Sequence, residues 1–123
     1  MSLTTTDVAK YIGGQLEVQN QRHRYMYCGQ IAKITIEGKN ENELHITFDW
    51  LAKAINYPLP LKRWVKVDPK EYVITLNIYT ATQIAGDSLA LNSRITGEDT
   101  LLLPTNKKKL RLSEVEDLSP DRI

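Results

Sequence analysis

From Glu43 to Lys53 apolar and polar residues alternate with a period of two. Leu44, Ile46, Phe48, Trp50 and Ala52 fall on one face, and Glu43, His45, Thr47, Asp49 and Lys53 on the other. Leu51 is the one apolar exception on the polar side. This is the period of a strand with one dry side. Burying the five dry residues contributes roughly 8–15 kcal/mol gross, at about 1.5–3 kcal/mol per large side chain. Upstream, Met26, Cys28, Ala32, Ile34 and Ile36 supply a second dry face, interrupted by Gln30. The polar, turn-rich stretch 37–42 between the two runs predicts an antiparallel hairpin.

Pairing Ile36 with Leu44 also aligns Ile34 with Ile46 and Ala32 with Phe48, and sets Thr35 against His45 and Lys33 against Thr47. One step nearer the turn, Glu37 would oppose Glu43, so regular pairing is expected to stop there. Gly29, in mid-strand, predicts a bulge or a sharp bend.

Around this hairpin the chain reads as short elements. Thr6 or Asp7 can cap a brief helix carrying Val8, Tyr11 and Ile12 on one face, stopped by Gly13-Gly14. A strand over 15–19 points Leu16 and Val18 inward. Pro58 and Pro60 mark a loop, and Trp64 to Val67 a short edge segment. Glu71 to Ile84 reads as one long strand, turned by Gly86-Asp87 so that Thr82 meets Leu91. Gly97-Glu98-Asp99 predicts a further turn, returning Leu101 opposite Ile95. Lys107-Lys108-Lys109 and Arg111, followed by Glu114, Glu116 and Asp117, read as a solvated tail.

Six or seven strands with short connections and one short N-terminal helix place the chain among all-β proteins. Its architecture is expected to resemble a small, strongly bent antiparallel barrel of the SH3-like general type, with a β-sandwich as the alternative. A length of 123 residues predicts a single domain over 1–123, with 1–5 and 119–123 as loose ends.

A net charge of +1 argues against a chain built mainly to neutralise a phosphate backbone. The lone Cys28 excludes an internal disulfide and a cysteine-rich zinc site. No leader pattern or long apolar run is present, so a cytoplasmic location without membrane association is expected.

The residue chemistry points away from a reaction and from any cofactor. His23 and His45 have no second histidine or cysteine at ligand spacing. Cys28 and His45 fall on opposite strand faces. Asp49, Asp68 and Glu71 read as solvated carboxylates, and Gly13-Gly14 follows a helix where a phosphate cradle would precede one. The distinctive cluster is aromatic and basic: Arg22, Arg24, Tyr25 and Tyr27 before the central strand, and Arg63, Trp64 and Lys66 after the proline loop. Such residues suit a non-enzymatic interaction module for a protein or peptide partner. The same pattern also suits single-stranded nucleic acid, whose bases stack on aromatics beside positive charge. A self-associating structural protein is the third reading, since exposed strand edges pair with copies of themselves.

Overall fold

The computed structural model describes residues 5–39, 42–56, 63–71, 74–77, 81–83, 88–93 and 98–116. One short helix, α1 (Thr5–Ala9), precedes nine strands that form a single sheet among the described residues. These are β1 (Gln15–Asn20), β2 (Tyr25–Glu37), β3 (Glu43–Ile55), β4 (Arg63–Val67), β5 (Ile74–Asn77), β6 (Ala81–Gln83), β7 (Leu89–Ser93), β8 (Glu98–Leu103) and β9 (Val115–Glu116). Their order is β6-β7-β8-β1-β2-β3-β4-β9, with β5 also paired to β3. The protein is therefore mostly β, as its alternating runs predict. The paired path does not return on itself among the described residues.

The β2–β3 hairpin has the expected register near its turn, with Ile36 opposite Leu44, Thr35 opposite His45, Ile34 opposite Ile46 and Lys33 opposite Thr47. Pairing extends one step further than predicted, to Glu37 and Glu43. His45 makes this tolerable: its Nδ1 lies 3.1 Å from Glu37 Oε2 and its Nε2 2.9 Å from Glu43 Oε2. The imidazole stands between two carboxylates that would otherwise repel.

Away from the turn the register breaks twice. Ile31 pairs with Phe48, but Gln30 pairs with Trp50 and Lys33 with Thr47, so Asp49 is an extra residue on β3 and Ala32 an extra residue on β2. Each insertion shifts the alternation by one, so the two ends of each strand present opposite parities to the same side. Leu44, Ile46 and Phe48 enter the main core from one half of β3, and Leu51 enters it from the other. Trp50 and Ala52 turn to the outer face. This corrects the single dry face expected for 43–53. Phe48 and Trp50 are both buried, but in two different clusters on the two sides of the sheet.

On β2 the same correction applies. Ile31 joins Ile34 and the half-buried Ile36 at the main core, whereas Cys28 lies in the outer cluster and Ala32 is only half-buried. Gly29 sits beside the break, paired with Leu51. A Cβ there would lie 2.8 Å from Leu51 Cδ1, Phe48 Cδ1 and Trp50 O, so glycine leaves room for the large side chains that cross at the bulge.

The helix docks at this irregularity. Val8 and Tyr11 are buried against the main core, while Ile12, expected inward, is exposed. Gly13 N donates to Ile31 O at 2.8 Å and Ile31 N to Gly14 O at 2.9 Å, which leaves the turn no freedom to roll Ile12 inward. Gly13 carries a φ of +85°, left-handed backbone that glycine adopts without strain.

The remaining register is set by leucines. β1 pairs with β8, placing Leu16 opposite Leu102 and Val18 opposite Thr100. β7 then brings Leu89 opposite Leu102 and Leu91 opposite Thr100. Glu98 and Asp99 are strand residues opposite Ser93 and Asn92, which corrects the turn expected at 97–99. The expected long strand over 71–84 begins later than predicted, and its residues 72–73, 78–80 and 84 lie outside the described residues. A 3-10 turn occupies Pro69–Glu71, β5 pairs with β3, and β6 pairs with β7 as Ala81–Leu91 and Gln83–Leu89. This register differs by one residue from the predicted Thr82–Leu91 pairing. The Gly86-Asp87 turn, the Pro58–Pro60 loop, Ile95 and most of the two expected loose ends lie outside the described residues.

Candidate functional site

Beyond β8 the chain crosses the outer face of the sheet as a strap. It makes 3-10 turns at Thr105–Lys107 and Leu112–Glu114, then adds β9 in parallel to β4, with Trp64 opposite Val115. One polar residue holds the strap down. Gln15, fully buried on β1, accepts from Lys109 N at 2.8 Å and from Leu110 N at 3.1 Å through Oε1, and its Nε2 donates to Leu110 O. The amide thereby satisfies three backbone groups that contact with the sheet would otherwise strand. Leu110 is seated against Cys28, Trp50 and Ala52, with Trp64 and Val115 at the edge of the cluster.

Beside the strap lies a groove of ≈ 330 Å³, lined by Glu17 and Gln19 from β1, Met26 and Cys28 from β2, Trp64 from β4, and Lys109, Leu110 and Glu114 from the strap. A second groove of ≈ 300 Å³ continues toward β7 and β8, lined by Glu17, Gln19, Lys109, Ala90, Leu91, Asp99, Thr100 and Leu101. Lys109 stands between the two grooves, its Nζ 3.9 Å from Glu17 Oε2.

The sequence-predicted residues divide between two places. Arg22 and Arg24 are exposed in the turn between β1 and β2, with Arg24 at a φ of 56°. Tyr25 and Tyr27 follow with ring centroids 5.7 Å apart. Tyr27 leans on the main core. The Tyr25 hydroxyl donates to Glu98 Oε1, tying the hairpin to β8. Burial and that carboxylate both raise the Tyr25 hydroxyl above the ordinary phenol range. Trp64 and Lys66 belong to the opposite, outer side, in ladder rows with Ala54 and Ala52. Arg63 is exposed and makes a two-pronged ion pair with Glu116, Nε to Oε2 at 2.9 Å and Nη2 to Oε1 at 3.0 Å. That pair raises the guanidinium and lowers the carboxylate, but at the surface it contributes little stability. The structure thus gathers Arg22, Arg24, Tyr25 and Tyr27 at one end of the hairpin, and Trp64 and Lys66 elsewhere.

Glu17, Gln19 and Leu110 carry no signal in the sequence, while Met26 reads there as core and Lys109 as part of a solvated tail. Glu17 and Gln19 alternate with Leu16 and Val18 like any solvated strand face, and nothing local announces a strap arriving more than 90 residues later.

The reactive side chains are accounted for structurally. Burial, reinforced by the negative charge of Glu17 and opposed by Lys109, pushes the Cys28 thiol up to about 12. It is therefore un-ionised at neutral pH and inert as a nucleophile. Its ladder partner Ala52 is seven residues along β3 from His45, roughly 23 Å at strand rise. Asp49, in the bulge, faces Gln30 Nε2 at 3.4 Å, and Asp68 accepts from Lys70 N at 2.9 Å, so each plays a local role at the surface.

Compared with known protein families, curated proteins and solved structures, the chain has no significant match. No helix of the described residues is long and apolar enough to cross a membrane.

The thiol links folding to pH. Below the ordinary value of 9.0 both folded and unfolded chains keep the proton, and Cys28 contributes no pH dependence. Between 9.0 and about 12 the unfolded thiol ionises while the folded one does not, so stability falls as pH rises. Cys28→Ala is expected to flatten this limb by about 1 kcal/mol per pH unit, read from urea unfolding at pH 9, 10 and 11. Parallel curves for the two proteins would show that the thiol is exposed.

Proposed function

We propose that the protein is a non-enzymatic binding module that takes an extended protein or peptide segment along the outer-face groove, with Trp64 as its anchor. The observation that carries this reading is the groove itself. A ring from β4, a thioether from β2 and an aliphatic side chain from the strap line it together with charged groups, the mixture that peptide-binding clefts use. Aromatic side chains in such positions dominate binding energy.

The second reading, single-stranded nucleic acid, has its own support in a separate place. Arg22, His23 and Arg24 are exposed at the hairpin end beside the Tyr25–Tyr27 pair. The barrel belongs to this proposal as well. β5 pairs with β3 and β6 with β7, so two successive strands of the chain lie against β3 within the pairing path and β7 near one end of it. Leu89 and Leu91 from β7 packing in one core with Leu44 and Ile46 from β3 supports closure into a barrel.

The test is selection of random peptides displayed on phage against the full chain, followed by calorimetric titration of enriched sequences. Trp64→Ala is expected to weaken them about tenfold. Their affinity should change little between about 50 and 200 mM salt. Peptides that bind the Trp64→Ala protein unchanged would remove the groove from consideration. An oligothymidylate that binds with a steep salt dependence, lost in Arg22→Ala/Arg24→Ala, favours the nucleic-acid reading. A concentration-dependent dimer in sedimentation, with no peptide enriched, favours self-association through strand edges.

A further inference from the structure

Resting on the peptide-groove reading, we infer that the groove recognises an arginine side chain of the partner, with Glu17 as its counter-charge, Trp64 as the stacking surface, and Lys109 as the cation it displaces. The charge of the walls carries this inference. Among the described residues, Glu17 and Glu114 face a single cation, Lys109, in the larger groove, and Glu17 and Asp99 face the same lysine in the smaller one. The described walls of both cavities thus carry two carboxylates for each cation.

Glu17 is the centre of that imbalance. Its side chain is only 13% exposed, whereas that of Lys109 is 53% exposed. A carboxylate withdrawn this far from water is normally held by close donors. Among the described residues, the ion-pair partner of Glu17 is Lys109 at 3.9 Å, too long for a hydrogen bond. A lysine head that remains mostly in water loses little on leaving, while the carboxylate gains from a partner able to approach it squarely. The guanidinium offers a flat fork of donors for the carboxylate and a face that stacks on indole, which an ammonium does not. Trp64 lines the same cavity as Glu17, so both border the space that an arginine side chain would fill. The backbone of Lys109 remains bound by Gln15, so its side chain can swing out without lifting the strap.

The test uses the full chain, with N-acetyl-arginine amide and its uncharged near-isostere N-acetyl-citrulline amide as probes. The Trp64 indole N–H is followed by NMR. The arginine compound is expected to shift that signal saturably, and the citrulline compound to bind at least about fivefold more weakly. Glu17→Gln should weaken the arginine compound about tenfold. Lys109→Gln should tighten it about threefold, a gain that misfolding cannot imitate. Equal binding of the two compounds, no binding by either, or indifference to both substitutions overturns the inference. Selected peptides that depend on Trp64 but carry no arginine and ignore Glu17→Gln would remove the cation assignment and leave the groove standing. Peptides indifferent to Trp64→Ala would remove the groove itself.

Discussion

Leu51→Ala is expected to destabilise the protein by about 3–4 kcal/mol, close to the usual cost of emptying a fully buried leucine site. For a chain of this size, that lowers the melting temperature by roughly 10–15 °C. The magnitude follows from position. Leu51 has no exposed surface, and its Cδ1 lies within 2.8 Å of where a Cβ on Gly29 would stand. The site is closely walled and cannot easily collapse. Thr47→Ala, on the exposed side of the same strand, is the control and should change stability by less than about 0.5 kcal/mol. Thermal and urea unfolding of both variants measure the difference. A loss below about 1 kcal/mol for Leu51→Ala would return that residue to the solvent face and remove the bulge-driven exchange of faces.

Gln15→Leu is expected to cost about 2–4 kcal/mol, because Lys109 N, Leu110 N and Leu110 O lose their partner together. Leucine keeps nearly the same volume, so the loss reports the hydrogen bonds and not a cavity. The strap is then held by Leu110, the short β9 contact and the ion pairs Arg63–Glu116 and Lys109–Glu17. Cys28 gives an independent readout, since Leu110 covers it and burial keeps it protonated. Its reaction with a disulfide reagent near pH 8 should accelerate by at least about a hundredfold in Gln15→Leu. In Leu51→Ala, of similar stability, the same reaction should follow global unfolding only. Equal thiol reactivity in the two variants would show that Gln15 does not anchor the strap.

These variants also show where the sequence can be read and where it cannot. Near the hairpin turn the alternation is regular, and the pairs from Lys33–Thr47 to Ile36–Leu44 follow from it directly. Further along, Ala32 and Asp49 are inserted, and reading the alternation straight through them puts Cys28, Trp50 and Ala52 on the wrong side. The signal was present in the residues out of phase. Ile31 and Leu51 are apolar where a continuous strand would be wet, and both are fully buried in the main core. Two misfits near a mid-strand glycine, on adjoining strands, mark a change of phase better than the glycine alone. The register of β7 on β8 was hidden because Gly97-Glu98-Asp99 has turn composition, while Leu89 of β7 gains more by meeting Leu102. The groove was hidden for a different reason. Its floor is the polar side of β1 and its wall comes from the other end of the chain, and only tertiary structure joins them. Trp64, picked out for its aromatic ring, does line it; Tyr25 and Tyr27 were picked out on the same grounds and belong to another surface.

Trp50 and Leu51 are neighbours in the chain that anchor packing on opposite sides of one backbone. The middle of β3 is thus a partition shared by two rooms, and neither can be rearranged without moving the wall. Changes made at Leu51 and at Leu110 should therefore fail to add, although no side chain need pass between them. A peptide bound in the cleft beside the strap would stabilise the folded chain by mass action, so the stability of the whole chain would serve as a gauge of occupancy.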